Sequence, residues 1–261
     1  MVRGVLNMSR VNGLSMIEGV VMPDHVQIKW SEPSDSAQAL AQSISQRLDQ
    51  ALTQRGRAVL SVSGGRSPVA MFECLAQADI DWHHVTVTLV DERQVAEDHP
   101  ASNALLVRQH LLQDRAAAAT FSSMVGPLLP TSAAAWQARA DQVDQMLHAL
   151  GPADVTILGM GLDGHFASWF SQAAEVEAGL DPSQLRACMA VHLPQPPIEA
   201  PFDRMSQTLA HLSRSGLYVL PITGAPKLKV WIQACAQPGF QWPISAWLSV
   251  KSAPFWLWIT P

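Results

Sequence analysis

Several short stretches of this chain carry residue types that could handle a small, negatively charged or hydroxyl-rich molecule. Gly159-Met160-Gly161-Leu162-Asp163-Gly164-His165 ends in an imidazole with a carboxylate two residues before it, residue types suited to a general base and an acid that orients it. Ser63-Gly64-Gly65-Arg66-Ser67-Pro68 sets two glycines, which tolerate positive φ and close backbone approach, ahead of a proline suited to the first turn of a helix. Free N–H groups and partial positive charge at a helix start suit a phosphate or an oxyanion. Asp91-Glu92-Arg93 offers carboxylates for sugar hydroxyls and a guanidinium able to grip a phosphate through two parallel hydrogen bonds. Lys227, in Gly224-Ala225-Pro226-Lys227, stands in a first helical turn, where the macrodipole favours anions; a bound anion beside it would remove that conflict.

Each stretch also has an ordinary reading. The glycines could form a plain turn, Arg93 could pair locally with Asp91 or Glu92, His165 could be structural, and Lys227 could snorkel to solvent. Residues 159–164 match G-x-G-x-x-G, but a dinucleotide site needs an acid ending a second strand about 20 residues on. Positions 175–186 read EVEAGLDPSQLR, which does not resemble such a strand. The glycine loop lacks the Lys of a Walker A motif. The other histidines are scattered without metal spacing, and no HExxH occurs, so no metal is expected.

The elements that must position these residues alternate. Residues 25–30, 58–63, 85–90, 154–160, 217–223 and 255–260 read as strands, several of them continuous apolar runs. Residues 34–54, a segment opened by Pro68, 102–112, 132–149 and 225–236 read as helices. A long polar loop is expected after the strand at 85–90, with Ser102 or Asn103 as the cap of the next helix, and His165 is expected at the entrance to a helix. Such alternation implies an α/β fold: an open, mostly parallel, Rossmann-like sheet with helices on both faces. Ligands of such sheets bind beyond the carboxyl ends of the strands, where the charged and glycine-rich stretches fall.

Composition narrows the function classes. With 261 residues, 48% apolar, the chain can bury a full core. A net charge of −5 argues against a general nucleic-acid binder but not against a small anionic substrate, which a few local cations can hold. The three cysteines, Cys74, Cys188 and Cys235, are odd in number and far apart, which argues against a disulfide framework and fits a reducing, cytoplasmic setting. No apolar run reaches the roughly 18 residues of a membrane helix, and the N-terminus lacks an apolar leader core. Residues 1–22 show no periodicity and read as a disordered extension, with Met16 and Met22 as alternative starts, leaving 23–261 as one domain.

Taken in order, SGGRSP (63–68), DERQV with DHPASN (91–95 and 98–103), LGMGLDGHFASWF (158–170), RMSQT (204–208) and TGAPK (223–227) resemble the 6-phosphogluconolactonases, from about residue 24 to the C-terminus. The glycine loop of that family usually reads SGGSTP, so Arg66 and Ser67 are departures. So is Ser168-Trp169-Phe170-Ser171-Gln172, where SLFPG is typical. The resemblance implies hydrolysis of 6-phospho-D-glucono-1,5-lactone with no cofactor and no metal. His165 would be the base and Asp163 its orienting acid. Gly64, Gly65 or Gly161 would supply N–H groups for the oxyanion, Arg93, Arg204 and Lys227 (with Arg66 as a fourth) would hold the phosphate, and Asp91 would bind a sugar hydroxyl. The partner implied is a small phosphosugar lactone, with no nucleic acid, no membrane, and a monomer or weak homodimer as the assembly. Rival readings are a sugar-phosphate deaminase or isomerase and a non-catalytic sugar-phosphate sensor. Related deaminases carry a further acid soon after the histidine, whereas this chain has none between His165 and Glu175.

Overall fold

Seven strands pair in parallel throughout, and the alternating sequence pattern accounts for most of them. The computed structural model describes residues 22–195, 197–198 and 201–261, so the expected N-terminal extension lies, apart from Met22, outside the described residues. Strand β1 (Val26–Trp30) leads to helix α1 (Ser36–Arg55), whose buried Leu40, Ala41, Ile44, Leu48 and Ala51 recur at helical spacing. Burial of each large aliphatic side chain there contributes roughly 1.5–3 kcal/mol. The helix stops at Gly56, which adopts φ +70° and donates its N–H to the Leu52 carbonyl. Then follow β2 (Ala58–Val62), buried at every position, α2 (Val69–Ala76), β3 (Val85–Leu89), β4 (Asp91–Arg93), α3 (Asn103–His110), β5 (Thr120–Ser122) and α4 (Ala133–Leu150). The second half comprises β6 (Val155–Ile157), α5 (Val176–Leu180), β7 (Cys188–Val191), β8 (Arg204–Gln207), α6 (Leu209–Leu212), β9 (Tyr218–Thr223), α7 (Ala225–Ala236) and β10 (Phe255–Thr260).

The main sheet runs β1-β10-β9-β6-β2-β3-β5. From β2 the chain winds outward through β3 to β5, then returns to β6 on the other side and winds through β9 to β10. The strand order therefore reverses between β2 and β6, whose loops part there and open a crevice. Two buried clusters cover the sheet. One joins α1, α2 and α4 to the strands around Leu60, Val87 and Val219; the other gathers Tyr218, Trp231, Trp247 and Phe255 with the C-terminal helices. Met22 packs against the second cluster, so the domain reaches back to that residue.

Two expectations need correction. Residues 91–93 are not a polar loop: they form β4 in a second, antiparallel sheet of order β4-β8-β7. Its strands are three or four residues long and β4 is wholly charged, so no hydrophobic period announces it. Residues 176–180 form a short helix, as the rejection of a dinucleotide site requires. No helix begins at His165; residues 165–170 fold into a tight turn, with the next helix only at Val176. Among the described residues no helix is long and apolar enough to cross a membrane.

Candidate active site

The loops that leave β2 and β6 wall a cavity of about 330 Å³, completed by β4, β8 and the start of α7. After β2, Ser63 donates its N–H to the Ile157 carbonyl, which holds the two loops together at their base. Gly64 is a glycine for space: a Cβ there would lie 1.9 Å from Oδ1 of Asn103. Gly65 is a glycine for conformation, with φ +92°. Among the described residues, the backbone N–H groups of Gly64, Gly65, Arg66 and Ser67 make no backbone hydrogen bond, and these four residues line the cavity. Arg66 is exposed at its mouth. Opposite, Nζ of Lys227 donates to Oγ of Ser67 at 3.1 Å, and burial pulls the lysine below the usual ammonium range.

The small sheet sets two guanidinium groups together. Arg93 and Arg204 are direct cross-strand neighbours in the antiparallel β4–β8 pair, a like-charge arrangement that is unfavourable unless an anion or a carboxylate intervenes. Arg204 is buried, which draws its guanidinium below the usual range; Arg93 pushes it further the same way, and the carboxylates of Asp91 and Glu92 pull back in part. The alternative of a local pair between Arg93 and Asp91 or Glu92 is not realised. Nη1 of Arg93 donates to the Ala101 carbonyl at 2.5 Å, and Nε is buried without a partner among the described residues. In a chain of net charge −5, the described residues that line this cavity include four cations (Arg66, Arg93, Arg204, Lys227) and a single carboxylate, Asp91.

Glu92 does structural work between its two neighbours. It is fully buried and accepts four hydrogen bonds: from the N–H groups of Arg93, Asn103 and Ala104 at 2.7–2.9 Å and from Oγ of Ser102 at 3.0 Å. Three of these donors open α3, so its carboxylate fastens β4 to a helix N-terminus. Burial pushes its pKa up against the pull of those bonds. Asp91 accepts from Oγ of Ser168 at 2.7 Å through Oδ2, and its backbone carbonyl accepts from Nδ2 of Asn103 at 2.8 Å.

The loop after β6 carries the imidazole. Gly161 has no room for a side chain, since a Cβ would fall 2.3 Å from His165 and 2.4 Å from Asp163. Its N–H donates to the His165 carbonyl at 2.9 Å, so it is not available to an oxyanion, contrary to the sequence expectation; of the two donor sets considered, the glycine loop after β2 is the one left unpaired. Oδ1 of Asp163 meets Nδ1 of His165 at 2.5 Å, leaving Nε2 as the nitrogen outside that pair. Partial burial raises the Asp163 carboxyl, but the hydrogen bond and charge of His165 outweigh it and hold it below the usual carboxylate range. Gly164, at φ +76°, lets Trp242 pack behind the loop.

Nine of the ten residues singled out from sequence line the one cavity, and the tenth, Asp163, reaches it through His165. Sequence reading missed Ser63 and Asn103. Both are buried at the cavity, and Ser63 Oγ and Asn103 Oδ1 lack partners among the described residues. Asn103 was hidden by its place beside a helix cap; Ser102 is the cap, accepting from the Leu105 N–H at 3.2 Å, which frees Asn103 to face the glycine loop. Trp169 does not narrow the cavity. It is fully buried, donates its indole N–H to the Gln207 carbonyl at 2.8 Å, and sits where any side chain on Gly179 would be.

A parallel α/β sheet with a cationic cavity at its reversal point and an Asp–His pair on one wall defines a class, that of enzymes and binding proteins for small phosphorylated metabolites. Residues 31–256 match the family model described as glucosamine-6-phosphate isomerases/6-phosphogluconolactonase. The chain is 38% identical over 229 residues to a 6-phosphogluconolactonase of Pseudomonas aeruginosa, covering 87% of this chain and 92% of that one. It is 41% identical over 234 residues to one of Mesorhizobium japonicum, covering 87% and 94%. A crystal structure of a 6-phosphogluconolactonase from Shewanella baltica superposes with a TM-score of 0.83 at 36% identity, covering 92% of this chain and all of that one. The chain belongs to the glucosamine-6-phosphate isomerase/6-phosphogluconolactonase family.

Proposed function

We propose that this chain is a 6-phosphogluconolactonase, which hydrolyses 6-phospho-D-glucono-1,5-lactone to 6-phospho-D-gluconate, the second step of the oxidative pentose phosphate pathway. The observation that carries its mechanism is the Asp163–His165 pair set on the wall of a cavity in which Arg93 and Arg204 stand side by side. The arginines, with Lys227 and the exposed Arg66, hold the phosphate, and its charge relieves their mutual repulsion. Asp91, beside them, accepts from a sugar hydroxyl.

With the phosphate anchored, the lactone carbonyl meets a water on the His165 side. Nε2 takes a proton from that water as its oxygen bonds to C1, while Asp163 holds Nδ1–H and steadies the imidazolium. The carbonyl oxygen becomes an oxyanion, which the unpaired N–H groups of Gly64 and Gly65 stabilise. Collapse of the tetrahedral intermediate breaks the bond from C1 to the ring oxygen, and the imidazolium returns its proton to that oxygen as the ring opens. A positioned base is worth about 10²–10⁴ in rate and one oxyanion donor about 10²–10³.

A deaminase reading needs a further acid near the histidine. The first acid after it, Glu175, instead accepts the His192 N–H at 2.8 Å. We take the reaction to run in the cytoplasm, on a monomer or weak homodimer; the three free thiols support the compartment. The test is formation of 6-phosphogluconate from fresh lactone, coupled to its dehydrogenase and corrected for spontaneous hydrolysis. Folded protein with no rate above that background would exclude the lactonase.

A further inference from the structure

We propose that Phe170 is a positioning residue for the imidazole of His165, an inference that rests on the reading of His165 as the base. The two rings stack, with centroids 3.9 Å apart and planes 25° from parallel. The hydrogen bond to Asp163 fixes one nitrogen but leaves the ring free to tilt about that contact, and tilting swings Nε2 across the cavity. A flat apolar face against the imidazole removes that freedom. Small misplacements of a reacting group are expensive, about 10²-fold in rate for 1 Å.

Phe170 can serve as a reference surface because it cannot itself move. It is 3% exposed, and its N–H donates to the Ser168 carbonyl at 3.1 Å. The turn it closes is stitched to two strands of the small sheet, β4 and β8. Ser168 donates through Oγ to Asp91 on β4 and through its N–H to Ser206 Oγ on β8, and the Trp169 indole donates to the Gln207 carbonyl. Ala167 holds φ +50° in this turn, a conformation a non-glycine residue adopts only when its surroundings impose it. The guanidinium of Arg204 lies over the same phenyl ring, 5.4 Å from its centroid. One side chain thus touches both the base and an arginine of the phosphate site, and sets the plane of the first relative to the place of the second.

The test uses Phe170→Met, which keeps most of the buried volume and removes the flat face, and Phe170→Tyr, which keeps the face. Without any ligand, the His165 Cε1–H resonance, assigned by its loss in His165→Ala, should lie upfield in wild type and in Phe170→Tyr and move downfield in Phe170→Met. In the lactonase assay Phe170→Met should lose about 10–10²-fold in kcat, with KM within about threefold of wild type. Asp163→Asn added to Phe170→Met should lower kcat by less than the product of the single losses, because both residues restrain one ring. An unchanged kcat, a raised KM with kcat intact, strictly multiplicative losses, or equal loss in Phe170→Tyr would each overturn the proposal. Should Phe170→Met fail to fold, the resonance and kcat of Phe170→Leu decide in the same way. Failure of the functional reading looks different: wild type would not exceed spontaneous hydrolysis, or His165→Ala would match wild type, whatever the spectra show.

Discussion

Oδ1 of Asp163 lies 2.5 Å from Nδ1 of His165 and 3.3 Å from the His165 backbone N, so a two-residue spacing in a loop closes into a single hydrogen-bonded unit. Gly161 makes this closure possible by leaving the volume its Cβ would occupy to the imidazole and the carboxylate. If the unit acts as base and orienting acid, His165→Ala should lower kcat by about 10²–10⁴. Asp163→Asn should lose a substantial part of that with little change in KM, since it touches the imidazole and not the phosphate cations. Initial rates for both variants check this; a kcat for Asp163→Asn equal to wild type would remove its orienting role. The carboxyl of Asp163 is held low in the folded state, so its pairing contributes stability that is present above the ordinary aspartate pKa and is lost as pH falls through the lower folded value.

The face-to-face placement of Arg93 and Arg204 predicts a trade between stability and binding. Replacing Arg93 with Met removes one of two like charges, so the ligand-free protein should melt no lower than wild type despite losing the bond to Ala101, while KM for the lactone rises by about tenfold or more. Inorganic phosphate should raise Tm in wild type and much less in the variant, with the increment shrinking as salt is added. A KM within twofold of wild type would place the phosphate elsewhere in the cavity.

The sheet and the Asp–His loop were legible because they obey strong local rules. Buried parallel strands read as apolar runs, and the glycines sit at strand ends where close approach demands them. The small sheet was not legible. Asp91-Glu92-Arg93 has the composition of a solvated loop, and what makes it a buried strand is a set of distant partners: the start of α3 for Glu92, Ser168 for Asp91, and β8 for backbone pairing. Asn103 was misjudged for a related reason, since a cap position and a cavity position are one residue apart in sequence. The Trp169 departure is explained only in three dimensions, by the space that Gly179 leaves for its ring.

His211 lies outside the cavity and should govern part of the acid stability. It is buried, its Nδ1 lacks a partner among the described residues, and burial, helped by Arg214 and His148, pulls its pKa down to about 4. The unfolded chain takes up this proton near pH 6.5, the folded chain only near 4. Stability is therefore full above about 6.5, is lost as pH falls between those values, and levels off below, a loss of roughly 3 kcal/mol from this group. Urea unfolding from pH 7 to 4.5 should show this slope in wild type and a shallower one in His211→Leu. Parallel slopes would assign the acid loss to other groups.

The contact between Gly64 and Asn103 separates folding from chemistry in the glycine loop. A Cβ at position 64 would lie 1.9 Å from Oδ1 of Asn103 and 2.4 Å from its Cγ, closer than real atoms approach, and Asn103 is held by its bond to the Asp91 carbonyl. Gly64→Ala should therefore cost about 1–3 kcal/mol of stability through overpacking and displace the loop that lines the cavity. Shortening the obstacle should relieve the first effect: Asn103→Ala in the Gly64→Ala background should regain most of the lost Tm. It should not regain activity, because the double variant still lacks the side chain that bonds the Asp91 carbonyl and packs beside the glycine loop, and kcat should stay at least tenfold below wild type. Thermal melts and initial rates on the two single variants and the double variant close the cycle. Additive losses in Tm would mean that the two residues do not meet as described, and wild-type kcat in the double variant would mean that the reaction does not need the Asn103 side chain.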